Sequence, residues 1–317
     1  MIGQKSITNT NMSDKSFLII GFNWGKNYAK VLNKLGLKIG AVVTSKPFDF
    51  KELGFETAPI VFPNHEAALA SNVHFTDAII CTPPHVRSEI ASACFIRGLD
   101  CIIEKPFALS LEEADSIIKQ ARLFKRNVFC DFLHLHNDAI HQVLRDKFQF
   151  NDLKFLTRSP LPSKFPVIFD WTIHDIYLAV SYFGLPNVVS SYSEDETSKD
   201  LYTKLFYSHF TLEIANSVED SKKLRTITAR FKDNDFHYFE TPELGRSATI
   251  FNHESNQKTS LKFDPTPPLE VFINKYITGL KSDYGLILKS TYLNELAYKS
   301  LTLGCPQQID VEKVLNL

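Results

Sequence analysis

The sequence predicts an α/β protein in which a doubly wound parallel sheet is followed by an α+β domain with a large, mostly antiparallel sheet. Two observations predict this order. From Phe17 to Phe132, short and continuously apolar runs alternate with longer amphipathic runs, as in parallel strands covered by helices on both faces. After about Phe150, apolar residues alternate with polar ones instead, as in antiparallel strands with one solvent-facing side.

The elements of the first half follow from the apolar runs. We predict strands at residues 17–20, 37–43, 78–81, 101–103 and 128–132. Between them we predict one helix at residues 26–35, a second that ends at about Arg97, and a third that begins at Ser110. Ser110 and Glu113 have the spacing of a capping box.

The second half begins with a predicted strand through Phe206, Phe210, Leu212 and Ile214, and further strands are predicted at 224–231 and 236–240. A proline-rich break at 265–268 precedes two helices, near 269–280 and 287–301. We therefore predict a disordered tail at 1–15, a nucleotide-binding domain at 16–135, and a substrate-binding and oligomerisation domain at 136–317.

The composition argues against nucleic acid and membrane partners. The formal net charge is −1, and no basic run offers an electrostatic footprint for a polyanion. No apolar run is long enough to span a bilayer. The five cysteines are an odd number without framework spacing, which favours a reducing cytoplasm over a disulfide-stabilised secreted protein.

The segment between the first strand and the first helix predicts an imperfect phosphate site. It reads Gly21-Phe22-Asn23-Trp24-Gly25, whereas a full G-x-G-x-x-G motif would place glycines at 23 and 26. Asn23 tolerates positive φ and could still make the turn. The loop is one residue shorter than usual, with Gly25 in the close-packing position. We take Gly21, Asn23, Trp24 and Gly25 as candidate cofactor-binding residues; a strand-turn-helix without a ligand is the alternative.

The end of the second strand indicates the type of cofactor. An NAD site uses a carboxylate there to bind the ribose 2′-hydroxyl, but this chain has Ser45 and Lys46. A hydroxyl and a cation suit a 2′-phosphate, so we predict NADP, with NAD possible. A solvated turn before Pro47 is the alternative.

Three further residues predict proton-transfer chemistry. Lys105 follows a buried strand, and the carboxyl ends of parallel strands face the ligand crevice. Asp170 and His174 are four residues apart, on one face of a predicted helix, and histidine can both take and return a proton. Alternatively, Lys105 could pair with Glu104 or Glu112, and His174 could pair with Asp175 at a helix entry.

These segments resemble the Gfo/Idh/MocA oxidoreductases. The resemblance depends on Cys81-Thr82-Pro83-Pro84-His85, Glu104-Lys105-Pro106 and Asp170-x-x-x-His174-Asp175, and it extends over residues 17–304. It implies a Rossmann domain and a second domain whose open sheet is often used for oligomerisation. It also implies that Thr82, Pro83, Glu104 and Lys105 line the cofactor, and that the Lys105–Pro106 peptide bond is cis. In this reading Lys105 lies beside the nicotinamide, His174 exchanges the proton, and Asp170 is next to them.

Some residues depart from the family pattern. Arg87 stands where the family often has histidine, and the short Gly21 loop resembles that of the thiazolinyl imine reductases. His134 and His136 fall on one side of a predicted strand, but no carboxylate completes a metal pattern, so no metal is predicted.

The function expected from the resemblance is that of an NAD(P)-dependent dehydrogenase or reductase. Its substrate would be a hydroxyl or ketone of a sugar, sugar nucleotide or polyol. The alternatives are an NADPH-dependent imine reductase and a non-catalytic binding or regulatory member of the same fold. We also predict a homodimer or homotetramer formed through the second sheet, because that sheet is rich in apolar side chains, among them Phe206, Tyr207, Phe210 and Phe236.

Overall fold

The computed structural model describes residues 14–145, 150–163, 165–194 and 199–315. Most of the predicted tail at 1–15 lies outside these residues. The chain forms two compact units, each discontinuous in sequence. The first contains Met1–Glu104, Ile117–Phe129 and Ile273–Ser282, and the second contains Lys105–Ser116, Cys130–Phe272 and Asp283–Leu317. A single boundary between residues 135 and 136 separates the strands of the two sheets. Two short segments lie on the other side of that boundary from the rest of their unit: Lys105–Ser116 belongs to the second unit, and Ile273–Ser282 belongs to the first.

The first unit is built around a six-stranded sheet with the order β3-β2-β1-β4-β5-β6. Its strands are β1 (Ser16–Ile20), β2 (Lys38–Val43), β3 (Ile60–Phe62), β4 (Asp77–Ile80), β5 (Asp100–Ile103) and β6 (Val128–Cys130). The pairings of β1 with β2 and β4, of β2 with β3, and of β4 with β5 are parallel. The strand order reverses at β1, so the crevice beyond the carboxyl ends of β1 and β4 is where such a sheet binds ligands.

Four α-helices accompany this sheet along the chain: α1 (Phe22–Lys34), α2 (His65–Ala70), α3 (Arg87–Ile96) and α4 (Leu111–Leu123). The Ser110 hydroxyl accepts a hydrogen bond from the Glu113 N–H at 3.2 Å, as the predicted cap requires. Strand β3 and helix α2 were not predicted from the sequence. Ile60 and Val61 of β3 are about half exposed, so this edge strand lacks the buried apolar run that marks the others.

The second unit contains a nine-stranded sheet with the order β14-β13-β12-β11-β7-β10-β9-β8-β15. Strands β7 and β10 pair in parallel, and the other neighbouring strands of this sheet pair antiparallel. The strands are β7 (Asp152–Ser159), β8 (Val188–Ser193), β9 (Asp200–Phe206), β10 (Thr211–Val218), β11 (Leu224–Phe231), β12 (Asn234–Thr241), β13 (Gly245–Asn252), β14 (Gln257–Ser260) and β15 (Gln307–Gln308).

The prediction of one strand through Phe206 and Ile214 is wrong. The chain turns between β9 and β10, and the Tyr207 N–H donates to the Phe210 carbonyl at 3.0 Å. The rings of Tyr207 and Phe210 stack 4.7 Å apart, and both contact Phe183. Aromatic packing at a hairpin turn therefore produced the apolar pattern that resembled a continuous strand.

The helices of the remaining chain are α5 (Asp138–Leu144), α6 (Ile173–Phe183), α7 (Pro268–Ile277), α8 (Tyr284–Leu303) and α9 (Glu312–Leu315). Helices α6 and α8 pack together, and α8 also packs on β8. The predicted strand carrying His134 and His136 is wrong, because residues Leu133–His136 form a short 3-10 helix. Within the described ranges, no helix combines the length and apolarity needed to cross a membrane.

Candidate active site

Helix α1 begins directly after the first strand, at Phe22, with Gly21 as its N-cap residue. Gly21 has φ 88°, and a Cβ atom there would lie 2.8 Å from the Cys81 carbonyl carbon. Only glycine fits this conformation and this close approach of two backbones. The expected turn through Asn23 is therefore wrong, since Asn23 and Trp24 already lie in the first turn of α1.

The N-terminus of α1 suits an anion. No side chain in the described part of the chain caps it, and its first turn contains no acidic residue. Its backbone N–H groups can therefore bind a phosphate. Gly25 has the predicted packing role, because a Cβ atom at this position would lie 2.7 Å from Cγ2 of Ile19. The helix therefore packs closely on β1.

The segment after β2 carries the exposed side chains of Ser45 and Lys46. The Thr44 hydroxyl shapes the segment by accepting from the Lys46 N–H at 3.2 Å and contacting the Lys46 carbonyl at 3.1 Å. The first carboxylate after β2, Asp49, caps a 3-10 helix by accepting from the Lys51 N–H at 2.9 Å. The end of β2 thus offers a hydroxyl and a cation rather than a carboxylate.

A buried arginine connects two other candidate segments of the first unit. Arg87 Nε donates to the Thr82 carbonyl at 2.8 Å, and Nη1 donates to the Glu104 carbonyl. Pro83 lies between Thr82 and the 3-10 helix that precedes α3. The buried Thr82 hydroxyl has no hydrogen-bond partner among the described residues, as expected for a group that binds a ligand. This bracing role of Arg87 was not predicted from the sequence, where the residue was only a departure from the family pattern.

In the second unit, Lys105 and Asp170 form an ion pair. The Lys105 ammonium donates to Oδ1 of Asp170 at 2.8 Å and to its backbone carbonyl at 2.7 Å. The peptide bond between Lys105 and Pro106 is cis, as the resemblance implied. Both side chains are partly exposed, at 18% and 26%, so the pair remains open to a ligand.

Asp170 lies in a π-helical turn, Ile168–Thr172, immediately before α6. The prediction that Asp170 and His174 share a regular α-helix is therefore wrong for Asp170. Single π turns are frequent at functional sites because they redirect a side chain from the regular helical path. Asp170 Oδ2 also lies 2.8 Å from the Ser163 hydroxyl, a contact that sequence analysis did not find.

His174 lies in the first turn of α6, with Nδ1 3.0 Å from the Tyr177 hydroxyl. Burial, followed by the positive charge of Lys105, lowers the pKa of His174 well below its ordinary value. The ring is therefore neutral at neutral pH. Among the described residues its Nε2 atom has no hydrogen-bond partner, which leaves this atom available to a substrate.

His134 lies beside His174, with ring centroids 4.9 Å apart. Its backbone N–H donates to the Tyr177 hydroxyl at 3.1 Å, and burial lowers its pKa well below the ordinary value. In the described ranges, no group of three or more potential ligands could hold a metal ion. The spacing of Tyr177, three residues after His174, could have identified it as a helical neighbour.

The alternative pairing of His174 with Asp175 does not form. Asp175 is buried and bonds instead to Arg225 and to Nδ2 of Asn216, the latter at 3.1 Å. Asn216 also accepts from the Thr172 hydroxyl at 2.6 Å. This polar network anchors the start of α6 to β10 and β11 and thereby fixes the helix that carries His174.

Known proteins resemble this chain in sequence over its first half and in fold over most of its length. Residues 15–132 match the sequence model of an oxidoreductase family with an NAD-binding Rossmann fold, Gfo/Idh/MocA. A UDP-N-acetylglucosamine 3-dehydrogenase of Acidithiobacillus ferrooxidans is 30% identical over 142 residues. That match covers 42% of this chain and less than half, 43%, of the relative.

Two solved structures have the same fold over most of the chain. The UDP-N-acetylglucosamine 3-dehydrogenase GnnA of Acidithiobacillus ferrooxidans has a TM-score of 0.76 at 18% identity, covering 91% of this chain and 98% of that chain. The Bacillus subtilis protein yvaA has a TM-score of 0.78 at 14% identity, covering 95% and 99%. Residues 15–132 therefore match the Gfo/Idh/MocA oxidoreductases in sequence, and the fold of the two solved structures extends over most of the chain.

Proposed function

We propose that the protein is an NADP-dependent oxidoreductase that interconverts a hydroxyl and a ketone on a sugar nucleotide. The observation that carries this proposal is the set of Lys105, Asp170 and His174. The Lys105 ammonium pairs with Asp170, and its charge together with burial lowers the pKa of His174. Among the described residues, Nε2 of His174 has no hydrogen-bond partner. The nicotinamide, when bound, supplies or accepts the hydride.

Each side chain of the cluster has a role that follows from its contacts. Lys105 and His174 bind the same substrate oxygen and between them handle its proton and its developing charge. Asp170 orients the lysine through the 2.8 Å contact. Because Ser163 is also 2.8 Å from Asp170, the carboxylate is held from both sides.

The relatives support a sugar nucleotide as substrate. The Acidithiobacillus ferrooxidans relative is named for its action on UDP-N-acetylglucosamine. We therefore expect turnover with a UDP-sugar, followed by nicotinamide absorbance across a panel of UDP-hexoses, UDP-N-acetylhexosamines and free polyols. Turnover of free polyols alone would contradict the substrate class. Failure of both NADPH and NADH to bind would contradict the enzyme and favour a binding or regulatory protein.

The exposed hydroxyl and cation after β2 support NADP over NAD. In calorimetric titrations, wild-type protein should bind NADPH more tightly than NADH. Lys46→Glu should reverse this order, because a carboxylate repels the 2′-phosphate and accepts a hydrogen bond from the 2′-hydroxyl. Lys38→Glu, an equal charge change at the exposed start of β2, should leave the order unchanged. Tighter binding of NADH by the wild type would refute the assignment.

We further propose that the protein forms a homodimer or homotetramer through the solvent-facing side of the nine-stranded sheet. The apolar residues predicted from the sequence for this interface are only partly available to a partner. Phe236 is buried, and the rings of Tyr207 and Phe210 pack on Phe183. A different set supports the proposal. The strand registers align one row across this face, consisting of Tyr192, Tyr202, Ala215, Leu156, Thr226 and Phe239.

A further inference from the structure

Tyr177 connects the two histidines of the active site. It is fully buried in α6, one turn after His174. Its hydroxyl is 3.1 Å from the backbone N–H of His134 and 3.0 Å from Nδ1 of His174. Among the described residues these are its two hydrogen-bond partners.

The two contacts determine where the protons lie. A backbone N–H can only donate, so the Tyr177 oxygen accepts from His134. The single phenolic hydrogen then has one acceptor within reach, Nδ1 of His174. Burial raises the pKa of Tyr177 well above its ordinary value, so the phenol keeps this hydrogen. If Nδ1 carried a proton instead, the buried hydroxyl hydrogen would have no acceptor, which is costly.

We propose that Tyr177 is a positioning residue that holds His174 as the neutral Nε2–H tautomer, so that the ring donates a hydrogen bond to the substrate oxygen. This inference rests on the proposed function and sharpens it. A neutral imidazole that already accepts at Nδ1 is a poor source of a proton, but it is an effective hydrogen-bond donor to a carbonyl oxygen or alkoxide.

The proton then comes from Lys105. In the reducing direction a bound reduced nicotinamide would supply the hydride to the carbonyl carbon, and the carbon–oxygen π pair would move to the oxygen. An N–H bond of the Lys105 ammonium breaks as the new O–H bond forms. This leaves a neutral amine beside Asp170, to be protonated again from water. His174 stays neutral throughout, and its Nε2–H contact shortens as charge develops on the oxygen.

The tautomer can be observed directly by nitrogen NMR of ¹⁵N-histidine-labelled protein, with His174 assigned by comparison with His174→Gln. We expect a protonated Nε2 and an unprotonated Nδ1 at neutral pH. In Tyr177→Phe the signals should change to those of a tautomer mixture. The kcat for ketone reduction should fall by at least about tenfold. The largest expected loss is the factor of about 10²–10³ in kcat that removal of one such hydrogen-bond donor causes.

Tyr182→Phe is the matched control, because it removes a hydroxyl from the same helix that also contacts a histidine, His141. It should leave both the His174 signals and kcat unchanged. A protonated Nδ1 in the wild type, or unchanged His174 signals in Tyr177→Phe, would overturn the inference even if turnover is robust. If the expected tautomer is observed but the protein turns over no carbonyl substrate, the proposed function is overturned. The proton assignment then stays in place.

Discussion

At the residue scale, Lys105 depends on its contacts with Asp170 for orientation, while His174 depends on burial for its neutral state. These are separate physical causes, so the two residues should respond differently to mutation. Replacing Asp170 with asparagine keeps the shape but removes the charge that steadies the ammonium. Replacing either Lys105 or His174 removes a group that binds the substrate oxygen in the proposed function.

We expect Lys105→Ala and His174→Ala each to lower kcat by about 10²–10⁴, the usual cost of losing an acid, base or charge-stabilising group. NADPH affinity, measured by calorimetry, should stay close to that of the wild type. Asp170→Asn should also lower kcat, whereas Asp233→Asn, an exposed carboxylate in a turn of the same unit, should not. Full activity in Lys105→Ala would show that the cluster is not catalytic.

The two buried histidines also predict how stability depends on pH. The folded state holds the pKa values of His134 and His174 well below the ordinary 6.5, because burial and the charges of Lys105 and Arg225 disfavour protonation. The unfolded chain therefore binds more protons than the folded protein once the pH falls below about 6.5. Stability from this source is complete above that pH and is lost progressively below it.

Each such histidine should contribute a slope of about 1.4 kcal/mol per pH unit to the free energy of unfolding in this window. Denaturant titrations between neutral and mildly acidic pH should show a shallower slope for His134→Gln than for the wild type. Carboxylates add to the loss in both proteins, so the difference between the two slopes is the quantity that tests the prediction. Equal slopes would mean that His134 is not held neutral by the fold.

At the element scale, the junction of β1 and α1 depends on one glycine. Gly21→Ala would strain a φ of 88° and also place a Cβ atom 2.8 Å from the Cys81 carbonyl. Gly36 also has positive φ, at 67°, but a Cβ atom there would have no heavy atom within 4 Å. Gly36→Ala should therefore cost only the left-handed strain of about 1–2 kcal/mol, and Gly21→Ala should cost clearly more.

Thermal unfolding of the two variants tests this comparison, and NADPH titration provides a second measurement. We expect Gly21→Ala to weaken nucleotide binding, because displacing the start of α1 moves the amides that would face the phosphates. Equal losses of stability in both variants, with unchanged NADPH affinity, would contradict a close approach at Gly21.

The elements that sequence analysis predicted well are those with a buried apolar period. Strand β11 was predicted at residues 224–231, where it lies. Strand β1 was predicted at 17–20 and begins one residue earlier, at Ser16. Elements determined by tertiary contacts were not predictable in this way. The π turn at Asp170 and the 3-10 helix at His134 have no local signature. Tyr177 was overlooked because its role depends on a backbone N–H more than forty residues away in sequence.

At the scale of the whole molecule, the solvent-facing side of the nine-stranded sheet is organised in rows. The apolar row through Leu156 and Phe239 is partly exposed. The next row contains Lys204, Glu213 and Lys154, joined by ion pairs of 3.3 Å and 3.4 Å. Apolar side chains flanked by charges are typical of a subunit interface with a polar rim, and a symmetric pairing would place the same row on both partners.

Two threonines of β11 provide a matched test of this interface. Thr226 lies in the apolar row between Leu156 and Phe239, while Thr228 lies opposite Lys154 in the charged row on the same face. Thr226→Glu would bury an uncompensated carboxylate between partners, so it should shift the protein to a monomer at micromolar concentration in light scattering. Thr228→Glu places the same charge next to a lysine and should weaken association much less. If the wild type is already monomeric, or if both variants remain associated, this face of the sheet is not the interface.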